Sequence, residues 1–142
     1  MPNAKIAIFS DTNVLFSAFY GSPNNERILQ AHILDKIKLV ISQKVLEELV
    51  RNVRRKEPQA LNIVEKFLQT TPPKIVKNPG SISPGVKKLV HPKDQIIFQS
   101  AVNAKVKYFV TGNTKDYNAR ALLKKYKIAV LTPSQTVQKL SL

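Results

Sequence analysis

The chain contains no cysteine, which rules out a disulfide framework and any thiolate metal or redox chemistry. Any metal must therefore be held by oxygen or imidazole, and the lack of thiols agrees with a reducing compartment. No apolar run approaches the length of a membrane span, and the start, Met1-Pro2-Asn3-Ala4-Lys5, lacks the basic segment and long apolar segment of a secretory signal. No membrane association is expected, and the default compartment is the cytoplasm. Acid is also scarce: nine Asp and Glu stand against 23 Lys and Arg, for a net charge of +14. On a domain this small, such a surplus creates a positive field that favours a polyanionic partner. Nucleic acid ranks above an anionic membrane, because no basic amphipathic helix with bulky apolar anchors stands out. Charge alone is equally compatible with a solvated surface that binds nothing specific.

What is present is a globular pattern. A hydrophobic share of 43% spread along 142 residues suits one folded domain over residues 1–142. Apolar runs alternate with segments of helical period, the sign of βα units and a mainly parallel sheet. Strands are expected at residues 5–10, 38–41, 108–111 and 128–131, with a small edge strand at 74–77. Helices are expected at residues 24–36, from Ser42 through Val53, at 59–68, 94–103 and 119–126, and after Thr132-Pro133. Ser42 suits an N-cap, Leu46, Leu49, Val50 and Val53 share a helical stripe, and Glu57-Pro58 interrupts the run. Residues 78–88, rich in Pro, Gly and Ser, read as a mobile loop.

With so few acids, each carboxylate near a strand end matters. Asp11 follows the apolar run Ile6-Ala7-Ile8-Phe9, where open α/β sheets place their ligands. Asp94 opens a helix in line with Ile97, Phe98 and Ala101, so its carboxylate starts on the inward side; a simple helix cap is the alternative. Glu47 and Glu48 both lie off the apolar stripe of their helix, and periodicity does not choose between them. Thr111-Gly112-Asn113 ends a strand as Ser10-Asp11 does, with Asp116 three residues on. Carboxylates gathered at strand ends suit a hard cation, Mg2+ or Mn2+, which takes oxygen ligands and can serve phosphodiester hydrolysis.

Four motifs in order resemble the PIN-domain ribonucleases, which include the toxin halves of many prokaryotic toxin–antitoxin pairs. They are Ile8-Phe9-Ser10-Asp11-Thr12-Asn13-Val14-Leu15, Ile41-Ser42-Gln43-Lys44-Val45-Leu46-Glu47-Glu48-Leu49, His91-Pro92-Lys93-Asp94 leading into Ala101, and Tyr108-Phe109-Val110-Thr111-Gly112-Asn113. The resemblance implies a three-layer α/β/α fold with a mainly parallel sheet of about five strands. It also implies a metal-dependent ribonuclease acting on single-stranded RNA, restrained as a toxin by a small antitoxin, with a homodimer common in the family. Asp11, Glu48, Asp94, Asn113 and Asp116 would then form the Mg2+ or Mn2+ site, with Thr12, Asn13 and Thr111 in support. Asn113 is a departure, since the family often has Asp there, and Asp116 is the nearby replacement charge. Arg51, Arg54 and Arg55 are expected to contact RNA phosphates, and Phe19 and Tyr20 to stack on bases. Two alternatives are a catalytically weak RNA-binding relative and a haloacid-dehalogenase-like phosphatase. The latter wants a second Asp where this chain has Asn13. His32 and His91 show no catalytic spacing and read as structural or exposed.

Overall fold

The first apolar run becomes the middle strand of the sheet, and everything at the candidate site hangs from its end. A computed structural model describes residues 5–142. Five strands, β1 (Ile6–Ser10), β2 (Ile37–Ser42), β3 (Lys74–Val76), β4 (Tyr108–Val110) and β5 (Ala129–Leu131), lie in the order β3-β2-β1-β4-β5. All four pairings are parallel, with Phe9 opposite Val40 on one side and Phe109 on the other. Successive residues of a strand face opposite sides of the sheet, yet Ile8, Phe9 and Ser10 are all fully buried. Helices therefore cover both faces, as a parallel sheet requires. The chain order reverses on the two sides of β1, and a crevice at such a switch point is the usual ligand position in open α/β sheets.

The helices are α1 (Thr12–Phe19), α2 (Pro23–Ile33), α3 (Gln43–Lys56), α4 (Leu61–Thr70), α5 (Pro84–Leu89), α6 (Gln95–Asn103), α7 (Ala119–Tyr126) and α8 (Pro133–Leu140). Their starts follow local chemistry. Ser42 caps α3 by accepting the Val45 N–H at 3.2 Å, and Thr132 with Gln135 forms a capping box on α8, with Pro133 in its first turn. Caps of this kind contribute about 1 kcal/mol each. Val45, Leu49 and Val53 of α3, and Val64 and Phe67 of α4, are buried as their helical spacing requires. A short 3-10 turn, Pro58–Ala60, separates α3 from α4 where Glu57-Pro58 interrupts the helix.

Residues 78–88 are not a mobile loop throughout: α5 occupies Pro84–Leu89. Ser83 caps it, Pro84 suits its first turn, and Val86 is fully buried. A helix of six residues has too few apolar positions to show a period, so composition misleads there. A Cβ at Gly85 would displace the Tyr126 hydroxyl and the end of the Lys125 side chain, which pack against this turn. Among the described residues, no helix is long and apolar enough to cross a membrane.

Candidate metal and nuclease site

Asp11 leaves β1 with its backbone N–H bonded to the Val110 carbonyl at 3.0 Å, so the ends of β1 and β4 are tied together at the switch point. Its side chain is 6% exposed. Oδ1 accepts the Thr12 N–H at 2.8 Å, capping α1, and Oδ2 accepts the Thr111 hydroxyl at 2.9 Å. The cap and the site are thus the same carboxylate, with one oxygen given to each. Burial pushes the Asp11 carboxyl above its ordinary value, the bonds from Thr111 and Thr12 pull it back, and the charges of Glu48 and Asp116 push it up again.

Thr12 decides between the two glutamates that periodicity left open. Its hydroxyl donates to Glu48 Oε1 at 2.7 Å, turning Glu48 toward Asp11, whereas Glu47 is exposed. Lys44, one turn earlier on α3, lies 3.8 Å from Glu48 Oε2.

Asp94 and Asp116 are brought together by a clasp of backbone. The turn that follows α5 runs antiparallel to the segment after β4, bridging Val90 to Tyr117. His91 N–H donates to the Asp116 carbonyl at 2.9 Å, and Asn118 N–H to the Leu89 carbonyl at 2.9 Å. Asp94 ends a 3-10 turn, Pro92–Asp94, and stands at the start of α6 without capping it through its side chain. Ile97, Phe98 and Ala101 are buried behind it as the helical wheel expects. The Asp94 carboxyl is pushed up to about 6, first by burial and then by the charges of Asp11 and Asp116, against the pull of Lys93 and His91. Lys93 Nζ stands 3.4 Å from Asp116 Oδ2.

Three buried polar atoms of the described residues have no hydrogen-bond partner: Asp94 Oδ2, Asp116 Oδ2 and the Tyr117 hydroxyl. Among the described residues, no three Asp, Glu or His side chains stand as a group that could hold a metal ion. What links Asp11, Glu48, Asp94 and Asp116 as they stand is mutual charge at the ends of β1 and β4. Asn113 joins them through its backbone, donating its N–H to the Thr111 hydroxyl at 3.1 Å, and its carbonyl accepts the Asp116 N–H at 3.0 Å. Asn13 is exposed on α1.

The arginines lie elsewhere. Arg51, Arg54 and Arg55 line a shallow groove of about 550 Å³ with Leu46, Glu47 and Val50, on the Glu47 side of α3. The cations paired with site carboxylates are instead Lys44 and Lys93. Phe19 packs edge-on against Phe67 at 5.4 Å, which makes it part of the core margin, while Tyr20 is exposed. Tyr117 is the residue that sequence reading passed over. An aromatic after Asp116 reads as core, and nothing in its spacing tells that its hydroxyl ends among carboxylates.

No curated protein matches the chain in sequence. A chain in the crystal structure of VapBC2 from Rickettsia felis, bound to a DNA fragment from their promoter, superimposes with a TM-score of 0.62 at 18% identity, over 89% of this chain and 98% of that one. A chain of FitAcB from Neisseria gonorrhoeae gives 0.59 at 17% identity over 89% and 98%, and one of FitAB bound to a DNA fragment gives 0.59 at 17% over 89% and 94%. At these identities the likeness is one of fold. The sequence model of the PIN domain family matches residues 7–115, a span that runs from β1 past the end of β4 and holds Asp11, Glu48, Asp94 and Asn113. The chain belongs to the PIN domain family, whose members are generally nucleases that use divalent metal ions.

Proposed function

We propose that the protein is a Mg2+- or Mn2+-dependent endoribonuclease that cleaves single-stranded RNA and acts as the toxin of a two-component pair. The observation that carries this reading is the buried Asp11, bonded by Thr12 and Thr111, beside Asp94 and Asp116, each of which buries an oxygen with no hydrogen-bond partner, that of Asp116 standing 3.4 Å from Lys93 Nζ. Such oxygens fit a hard cation, which takes oxygen donors and relieves repulsion among carboxylates. Asp11, Glu48, Asp94 and Asp116 would hold it, with the Asn113 side chain as a neutral oxygen donor. A divalent cation in such a cluster lowers the pKa of water and offsets the charge of a phosphodiester under attack.

The chain's own residues have separable tasks. Thr111 and the Thr12 N–H hold Asp11 in one orientation, and the Thr12 hydroxyl holds Glu48. Lys44 and Lys93 stand beside site carboxylates and can meet RNA phosphates at the rim, where such contacts make binding salt-dependent. Arg51, Arg54 and Arg55 extend the positive surface along α3. A small partner protein is supported by the structural relatives, which are two-component complexes, two of them on DNA.

Incubation of the protein with single-stranded RNA and Mn2+ is expected to give cleavage that excess chelator or Asp11→Asn removes. Cleavage that survives both would sink the proposal. Salt-sensitive RNA binding with no calorimetric Mn2+ binding would point instead to a non-catalytic RNA-binding PIN protein, the reading that the neutral Asn113 favours.

A further inference from the structure

The end of the sheet opposite the acidic site carries lysines drawn from the starts of four strands. Lys38 stands opposite Ala7 in β2, and Lys107 precedes Tyr108, the partner of Ile8, so it is level with Ala7 on the other side. Residues level with one another in parallel strands face the same side of the sheet, and strands lie about 4.8 Å apart, so Lys38 and Lys107 stand roughly 10 Å apart with only the small Ala7 side chain between them. Lys5 leads into β1, and Lys105 and Lys127 occupy the turns that lead into β4 and β5. Asp35, the acid beside this row, is already taken. Lys5 Nζ lies 2.6 Å from its Oδ1, and Lys5, then Lys38, hold its carboxyl below its ordinary value. Among the described residues, no carboxylate forms an ion pair with Lys38, Lys105, Lys107 or Lys127.

Two of these lysines are held against the preference of the backbone. Lys105 and Lys127 have φ of 58° and 61°, the left-handed conformation that a Cβ crowds and that glycine usually fills after a helix. The dipole of α7 does not call for Lys127, since Lys124 and Lys125 already stand in its last turn. Lys38 and Lys107 belong to the sheet ladder, where the Lys107 carbonyl accepts the Ala129 N–H at 2.9 Å. Like charges fixed on rigid strands repel one another, and a linear polyanion relieves them. The neighbouring aromatics, Tyr108 and Tyr126, pack against the core, so the row offers contacts to phosphates and not stacking on bases. We propose that this lysine row is a second nucleic-acid surface, seating the phosphate backbone of an RNA or DNA strand without reading its bases. From Ala7 to Asp11 the chain rises about 13 Å, which sets the row apart from the acidic site. The surface is distinct from Lys44 and Lys93 at the acidic rim, and it depends on neither metal nor cleavage.

The test sets Lys105→Gly/Lys127→Gly against a control of equal charge, Lys66→Gln/Lys88→Gln, at exposed positions of α4 and α5. Binding of a labelled single-stranded RNA and of a labelled DNA duplex is read by fluorescence anisotropy in chelator over a series of salt concentrations, beside thermal melting. The row variant is expected to lose about tenfold in affinity at low salt, with the salt slope lowered by about 1 for each lysine. Its Tm is expected to stay level or rise, because glycine takes these turns more readily. The control should bind as wild type does. Loss with one nucleic acid alone narrows the surface to that partner, and loss with both makes it a general phosphate surface; either supports the proposal. Lys38→Gln/Lys107→Gln, at positions of ordinary backbone, should show the same loss, and if it does not the proposal falls. Equal losses from row and control variants would reduce the effect to net charge and overturn it. So would wild-type protein that binds neither nucleic acid, or row-dependent binding to phosphatidylserine-containing vesicles with nucleic-acid binding untouched. Absent RNA cleavage with row-dependent binding intact would sink the nuclease reading and leave this one standing.

Discussion

Two regions of the molecule bury polar side chains, and they do so in opposite ways. His32, on α2, is as buried as Asp11. Its Nδ1 accepts the Leu39 N–H at 3.1 Å, so Nε2 carries the proton and donates to the Thr71 carbonyl at 2.9 Å. One neutral tautomer completes a link among α2, β2 and the end of α4, and the Phe67 ring packs beside it at 5.7 Å. At the acidic end, Asp11 is satisfied, but Asp94, Asp116 and Tyr117 each bury an atom with no hydrogen-bond partner. A polar network that closes on itself is scaffold. One left open among like charges forgoes stability, and pKa values displaced by burial and charge partners mark candidate functional sites.

The sharpest way to break the contrast is Asp11→Asn, expected to reduce RNA cleavage on the order of 100-fold or more while the protein stays folded, as measured by initial rates beside circular dichroism. Next, Glu48→Gln should lower the rate about 10- to 100-fold, and Glu47→Gln should leave it unchanged, because only Glu48 is held by Thr12. Equal losses from both would contradict the assignment. His32→Ala should act in the other direction. It orphans the Leu39 N–H and the Thr71 carbonyl and costs about 1–3 kcal/mol in urea unfolding, with kcat unchanged.

Acid should separate the regions further. Asp94 is raised in the folded, metal-free protein from 3.8 to about 6, so its protonated form contributes stability that is full below 3.8 and lost as pH rises through about 6. His32 is lowered from 6.5, chiefly by burial, so its neutral ring contributes stability present above 6.5 and lost as pH falls through its folded value. Mn2+ affinity should therefore climb as pH rises through about 6, and calorimetry at a series of pH values checks it. A flat profile would count against Asp94 as a ligand. The smallest effect belongs to Lys93→Ala. Lys93 holds the Asp94 carboxyl down, so its removal should shift the midpoint of that profile slightly upward, and added salt should erase the difference.

Much of this was legible in the chain. The alternation of apolar runs with helical stripes places all five strands and most helices, because burial imposes a period on each. Asp11 stands out because it follows a buried strand directly, and Asp94 because it shares a wheel position with Ile97, Phe98 and Ala101. α5 was hidden, since so short a helix built on Pro84 and Gly85 looks like a turn. Glu48 could not be told from Glu47 by period, and was decided by a hydroxyl 36 residues away. Arg51, Arg54 and Arg55, expected at RNA phosphates, share the Glu47 side of α3, a placement that the contacts of the helix decide.

By itself, then, the sequence determined the class of fold, the oxygen-only chemistry open to a chain without thiols, the basic surface, and which acids stand at strand and helix ends. Those are local properties: the period of burial, the net charge, and the residue at the end of a strand. Tertiary structure decided which acids meet and what surrounds them. The bridge of Val90 to Tyr117 sets Asp116 beside Asp94, and the packing of Phe98 and Phe109 carries a phenol into their midst. Such convergence depends on contacts between segments far apart in the chain, and no spacing along the chain encodes the distance between them.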